Sequence, residues 1–363
     1  MSSSKSRSRL DAASLLTAIP ALLGFIPERS IIILCVGPGR TVRATMRHDL
    51  AVDDDGTPQP ALLRVFAELG SICARYGARD LLVAIVDDRF ALDDPCHRRV
   101  LALANREFSA SGGVSIGFVL NEFDCGAAWS VAWRPRANRP APIAVPKAGA
   151  GVLADPRTCP TAIATAVSTG RRLLSSRSEM QQMLVPSPRC AEPVCNHLDA
   201  PNEPLDGVGA QDTAEHRRLL ALIVDRVQAG PPKLDCSTLN ELERAILTLP
   251  VRDAALALAV TDLRDGAELL WRELTRRLQK QGRASAATML AHLHYIGGEG
   301  AYAGVALDAA LAADPSWSLA GLLDRALRNG MRPNTLWEMI DDSYRAAAEL
   351  GVVIPNPTLR AVG

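Results

Sequence analysis

The chain has 363 residues, 48% hydrophobic and 22% charged, with 40 Lys plus Arg against 40 Asp plus Glu. This length and composition fit two ordinary globular domains or one large one, and the zero net charge excludes an overall field drawing the chain to nucleic acid or anionic lipid. Its 8 cysteines follow no regular framework in a chain long enough to bury a core without staples, and they read as reduced thiols in a cytoplasm.

Residues 1–10 contain "SSSKSRSR" and read as a disordered tail. The stretch "SLLTAIPALLGFIPERSIIILCVGPGR", from Ser14 to Arg40, follows. Pro20, Pro27, Glu28 and Arg29 interrupt its apolar run before the roughly 20 residues that a membrane span needs. It ends its first apolar block in "PERS" rather than at a small-x-small cleavage site, so it does not read as an export signal. Asp11 can cap a helix with Leu15, Leu16, Ile19 and Leu22 on one face, with Pro20 distorting or ending it and Gly24 suited to a left-handed stop. "SIIILCV" is a short β-branched run and predicts a buried strand.

A glycine loop that cradles phosphate must open a helix. After "GPGR", however, Val42, Ala44 and Met46 alternate with Arg43, Thr45 and Arg47, which is strand periodicity. Gly37 to Arg40 therefore predicts a hairpin turn. A helix from about Ala61 to Tyr76, a doubly apolar strand at Leu81 to Val86, a second helix in "PCHRRVLALANREFSASG" and a hairpin of "VSIGFVL" with "AAWSVAW" complete an α/β domain with a mixed sheet.

The domain scheme is a tail at 1–10, the α/β domain at 11–135, a Pro/Ala-rich loop at 136–157, and short helices at 158–185 packing on the α/β domain. A linker at 186–212, a helical domain at 213–350 and a tail at 351–363 follow. Within the short helices, "PTAIATAVSTG" ends on Gly170, and Ser176 with Glu179 has capping-box spacing. In the all-α C-terminal domain, Thr238 and Glu241 have the same spacing, Leu239, Leu242, Ile246 and Leu249 form a stripe, and Pro250 stops that helix. Gly298, Ala303, Leu307, Ala310 and Pro315 fit one tetratricopeptide-like helical hairpin. Stepping the pattern 34 residues either way finds no neighbouring unit, and a solenoid needs about three.

Three stretches together resemble the actinobacterial domain of unknown function 4192 family: "LLTAIPALLGFIPERSIIIL", "DPRTCPTAIATAVSTGRRLLSSRSEM", and "VRDAALALAV" with "ALAADPSWSLAGLLDRAL". The likeness runs over nearly the whole chain and departs from the family pattern after "CGAAWSV". It implies a soluble two-part bacterial protein and brings no reaction, substrate or cofactor with it.

Cys190, Cys195 and His197 in "CAEPVCNH" are the one sulfur and imidazole grouping close in sequence, but the first gap is wide and a fourth ligand is missing, so no metal is assigned. His292 and His294 lie two apart on a helix and point to different faces. Arg171, Arg172 and Arg177 could receive a phosphate or carboxylate, or serve a contact between domains.

No nucleophile elbow, CxxC, HExxH or Walker sequence is present, which weighs against an enzyme. The candidate catalytic residues are Arg47, Asp49, Asp87 and Asp88, with His48 beside them, provided the second strand and the central strand end at one edge. Against this stands the reading that such charges only return the chain to water. The sequence thus points to a cytoplasmic interaction or scaffold protein with a protein partner on the helical domain, without nucleic acid, membrane or cofactor. The alternative is a small-molecule sensor or enzyme at the strand ends. No oligomeric state follows from the sequence.

Overall fold

The computed structural model describes residues 11–38, 41–134, 142–189, 210–230 and 234–359. The Asp11 side chain accepts a hydrogen bond from the Ser14 amide at 2.9 Å and caps α1 (Ala12–Leu23), which ends on Gly24 at φ 82°. Pro20 lies inside this helix without ending it. Leu15, Leu16 and Ile19 are buried, whereas Leu22, expected on the same face, is exposed.

The strands β1 (Ser30–Val36), β2 (Val42–Asp49), β3 (Asp80–Val86), β4 (Val114–Leu120), β5 (Ala128–Trp133) and β6 (Ala150–Val152) form one mixed sheet in the order β2-β1-β3-β4-β5-β6. β1 is antiparallel to both β2 and β3, and β3 is parallel to β4. A parallel pair needs a long crossover. Here α3 (Pro95–Glu107) supplies it, while α2 (Pro60–Arg75) connects β2 to β3. β1 and β4 are buried at every position and β3 at all but its first, because their runs are apolar on both faces.

One face of the sheet, carrying Ile31, Ile33, Cys35, Val83 and Ile85, packs with Leu62 and Phe66 of α2 and Val100 and Leu101 of α3. Gly117 in β4 is required by this packing: a Cβ there would press on Leu101 and Trp133. The three-residue β6 falls in the stretch expected to be a loop, pairing Gly151 with Trp129 in an edge too short to carry periodicity. The expected turn at Gly37 to Arg40 lies partly outside the described residues, and the hairpin register of β1 with β2 closes around it. α4 (Pro160–Thr169) ends on Gly170 at φ 66° and packs on α1 through Ala21, Cys159 and Ala162.

The chain divides into two units, Met1–Arg177 and Ser178–Gly363, with the boundary inside α5 (Arg177–Gln182). The second unit is all-helical: α6 (Ala210–Gln228), α7 (Cys236–Leu247), α8 (Leu249–Ala255), α9 (Arg264–Arg277), α10 (Lys280–Ile296), α11 (Gly300–Ala313), α12 (Ser318–Arg328) and α13 (Trp337–Glu349). Two local expectations change. Asp235 caps α7 by accepting from the Thr238 amide at 2.7 Å, so Thr238 lies inside the helix. Pro250 opens α8 instead of ending α7, and Leu249 is exposed, because proline at a first turn removes no helical hydrogen bond.

α10 is buried almost all round and packs against α7, α9, α11 and α12. Small side chains (Ala284, Ser285, Ala287, Ala291) let these neighbours close on it. Gly298, at φ 78°, turns the chain between α10 and α11, and Ala303, Leu307 and Ala310 are buried along α11. The last described residues are tied back to this unit: the Thr358 amide donates to Val260 O at 2.8 Å.

Candidate functional site

The sheet order decides which strand ends meet. Because β1 runs antiparallel to both neighbours, Ser30 at its start lies opposite Asp49, the last residue of β2, and opposite Val86, the last of β3. Arg47, Asp49, Asp87 and Asp88 therefore share one edge, the condition set by the sequence reading. The end of β4 joins them: the Asp87 amide donates to Leu120 O at 3.0 Å.

The two adjacent aspartates do different things there. Asp87 is 0% exposed. Its carboxylate accepts from Arg89 Nε at 2.8 Å, from Arg89 Nη2 at 3.0 Å and from the Arg89 amide at 3.1 Å. The same guanidinium reaches the carbonyls of Val52 and Leu50 at 3.3 and 3.4 Å. From the other side, Asn121 Nδ2 donates to the carbonyls of Asp87 and Phe90 at 2.7 and 2.9 Å. The loop after β3 is thereby fixed to the ends of β2 and β4. Sequence reasoning missed Arg89 and Asn121; the signal was their placement immediately after two parallel strands, in "DDRF" and "LNEF".

Asp88 points outward and forms a two-point pair with Arg29, Nε to Oδ1 at 2.7 Å and Nη2 to Oδ2 at 3.1 Å. That hydrogen-bonded guanidinium holds the Asp88 carboxyl below its ordinary pKa. Arg29 has a left-handed backbone, φ 40°, rare for a residue with a side chain, and its carbonyl accepts from the Leu50 amide at 2.8 Å. Arg47 donates from Nε to Ser30 Oγ at 2.8 Å, pairs with Asp49 and lies 5.9 Å from the centre of the Phe25 ring. Burial lowers the Arg47 pKa against the pull of Asp49. His48 is hydrogen-bonded by Nδ1 to Asp49 O at 3.0 Å.

Behind the edge, His97 of α3 is buried with its ring edge-on to Phe90, 6.2 Å between centres, and neither nitrogen has a hydrogen-bond partner among the described residues. Burial lowers its pKa, although Asp87 and Asp94 pull the other way. The fold has placed an acid, cations and an imidazole at one strand edge. The acceptor positions of Asp87 are nevertheless turned inward onto Arg89.

The helical unit holds a second polar cluster. His294 Nδ1 and Glu299 Oε2 are 2.7 Å apart, Arg264 Nη2 donates to the same oxygen at 2.8 Å, and the Tyr302 ring lies 5.1 Å from the imidazole. Of these groups His294 and Tyr302 border a small cavity with Met180, Leu184 and Leu290 on its apolar side. His292, two residues earlier, is fully buried and its pKa is pushed down to about 4 by burial. Among the described residues no group of three His, Cys, Asp or Glu side chains could hold a metal ion, and "CAEPVCNH" lies outside them. No described helix is long and apolar enough to cross a membrane.

No curated protein and no solved structure matches the chain. The family resemblance first read from "LLTAIPALLGFIPERSIIIL" is established by a family model, described as Domain of unknown function (DUF4192), that matches residues 13–334, and the chain belongs to that family.

Proposed function

We propose that this chain is an interaction or scaffold protein of the cytoplasm whose helical unit offers the partner surface. The observation supporting this reading is the way the strand-end charges are used. A general acid or base must reach the proton that it moves. Asp87 is instead enclosed with Arg89, and Asp88, Asp49 and Arg47 are engaged with neighbours on their own edge. In this reading all four sequence candidates hold the fold and none carries chemistry. The tetratricopeptide-like spacing falls on α10 and α11; because α10 itself is enclosed, a partner would meet the helices packed around it.

The second reading, a small-molecule sensor or enzyme, is favoured by the convergence of the β2, β3 and β4 ends, since ligands of open α/β sheets bind beyond such ends. A thermal-shift panel of nucleotides, sugar phosphates, acyl cofactors and metal ions separates the two. A ligand at 100 times its Kd adds about 2.7 kcal/mol to stability. The interaction reading expects no saturable shift that depends on this edge. A shift that saturates and is lost in Arg47→Gln or Asp49→Asn overturns it in favour of the sensor.

A further inference from the structure

Residues Met180–Arg189 contain only the end of a six-residue helix and then "MLVPSPR", in which Pro186 and Pro188 prevent helix propagation. The first half of this stretch is one helical turn, with the amides of Met183, Leu184 and Val185 donating to the carbonyls of Met180, Gln181 and Gln182. Only Pro186–Arg189 has no hydrogen bond of its own making, and the helical unit grips both parts. Met180 and Leu184 are 1% and 6% exposed, and they border the cavity in front of Leu290, His294 and Tyr302.

The polar grip falls on the backbone. Arg283 Nη2 donates to Leu184 O at 2.9 Å, the Ser187 amide donates to Arg276 O at 2.8 Å, and Arg277 Nε donates to Arg189 O at 3.0 Å. Only at the end is a polar side chain read: Arg189 Nη2 pairs with Glu243 Oε2 at 2.6 Å and also donates to Asn240 Oδ1. Gly282 of α10 makes that pairing possible, because a Cβ there would occupy the space taken by the Glu243 side chain.

Hydrogen bonds to main-chain groups, apolar side chains in a cavity and one charged side chain in a buried pair are the way an extended peptide is held in a groove. We infer that α7, α9, α10 and α11 form a peptide-binding groove and that residues Met180–Arg189 are its built-in occupant. The partner class is a segment of the same chemistry: two apolar side chains spaced as Met180 and Leu184, a proline-held extended stretch, and an arginine placed as Arg189. The inference rests on the interaction reading above and names the surface and ligand class for it. A tethered occupant competes at high effective concentration, so an outside segment binds weakly until the tethered one is loosened.

The test uses the full chain and a fluorescent peptide of residues 178–189. Binding to the wild type is compared with binding to the Arg189→Glu chain, in which the tethered arginine is lost but Glu243 and Asn240 remain. The expected result is saturable binding at least about tenfold tighter to the Arg189→Glu chain, since opposing a buried carboxylate with another one costs the tethered segment more than a decade of affinity. The same peptide carrying Arg189→Glu should bind neither chain. Absence of saturable binding to both chains while their helical content is intact overturns the inference. So does cooperative loss of the helical unit in both Arg189→Glu and the milder Arg189→Gln, which would make the segment an integral part of the core. The peptide probe does not touch the strand edge. Failure here leaves the interaction reading to the ligand panel, whereas a positive panel with peptide binding retained removes that reading and keeps the groove.

Discussion

The two units place their charges differently. In the α/β unit the interior of the sheet is apolar, and its one fully enclosed carboxylate, among the described residues, is Asp87 at a strand exit. In the helical unit charge lies between helices: Glu243, Arg252 and Glu268 are nearly buried, and Arg264 joins Glu299 across α9 and the turn before α11. The contrast follows from how each architecture satisfies its backbone. A sheet fixes the register of neighbouring strands through its hydrogen-bond ladder and leaves to side chains only the ends, where the ladder stops. Helices satisfy their backbones internally, so one helix is positioned against the next by side chains alone, and a buried polar pair is one means of doing it.

Breaking the α/β side of this comparison should have the largest effect. Asp87→Asn removes the charge that the buried face of Arg89 depends on, and with it the tie between the exits of β2 and β3. Losing one member of a buried pair costs about 3–5 kcal/mol, and because the Arg89 side chain is 24% exposed the lower end is expected, about 3 kcal/mol. A urea titration reads this as a fall in midpoint. An unchanged midpoint would mean that the exits are held by the ladder alone.

The helical side is tested by acid. Burial depresses His292 to about 4 in the folded chain, against about 6.5 when unfolded. Between those values the unfolded chain takes up a proton that the native one refuses. The stability is therefore complete above about pH 6.5 and is lost progressively as the pH falls towards 4. Between pH 7 and pH 5.5 this amounts to about 1 kcal/mol. His292→Leu should remove most of that slope at little cost at pH 7, since neither ring nitrogen has a partner to lose among the described residues. Urea midpoints of both chains at the two pH values decide it, and equal slopes would place the acid sensitivity elsewhere.

The difference between the units also explains what the sequence made legible. "SIIILCV" and "LLVAIV" show their strands because burial on both faces leaves a continuous apolar run, and the alternation of Val42 to Arg47 shows a half-buried strand, which the sheet order places at an edge. The convergence of Asp49 with Asp87 could be stated only as a condition, because it depends on β1 running antiparallel to both neighbours, which no local pattern encodes. The enclosure of Asp87 was missed for a related reason. "VDDRF" contains two aspartates of equal appearance, and the one that turns inward is set by Arg89 reaching the carbonyls of Leu50 and Val52, far back in the chain. Residues Pro186–Arg189 read as the start of a linker because they lack periodicity, and a segment held by hydrogen bonds to its backbone needs none.

The smallest effect is expected one residue further on. Asp88→Asn removes a pair with Arg29 whose geometry is as good as that of Asp87 with Arg89, two short hydrogen bonds between a guanidinium and a carboxylate. Geometry alone would give the two aspartates similar weight. Exposure separates them: the Arg29 and Asp88 side chains are 58% and 56% exposed, so water and salt replace most of what the pair contributes. The urea midpoint should not move measurably at physiological salt, and a small loss should surface only at low ionic strength. If Asp88→Asn instead lowers the midpoint as far as Asp87→Asn, burial is not what distinguishes the two. The left-handed Arg29 would then be holding the edge through its side chain, and the exposed charges at these strand ends would belong to the same structural network as the enclosed one.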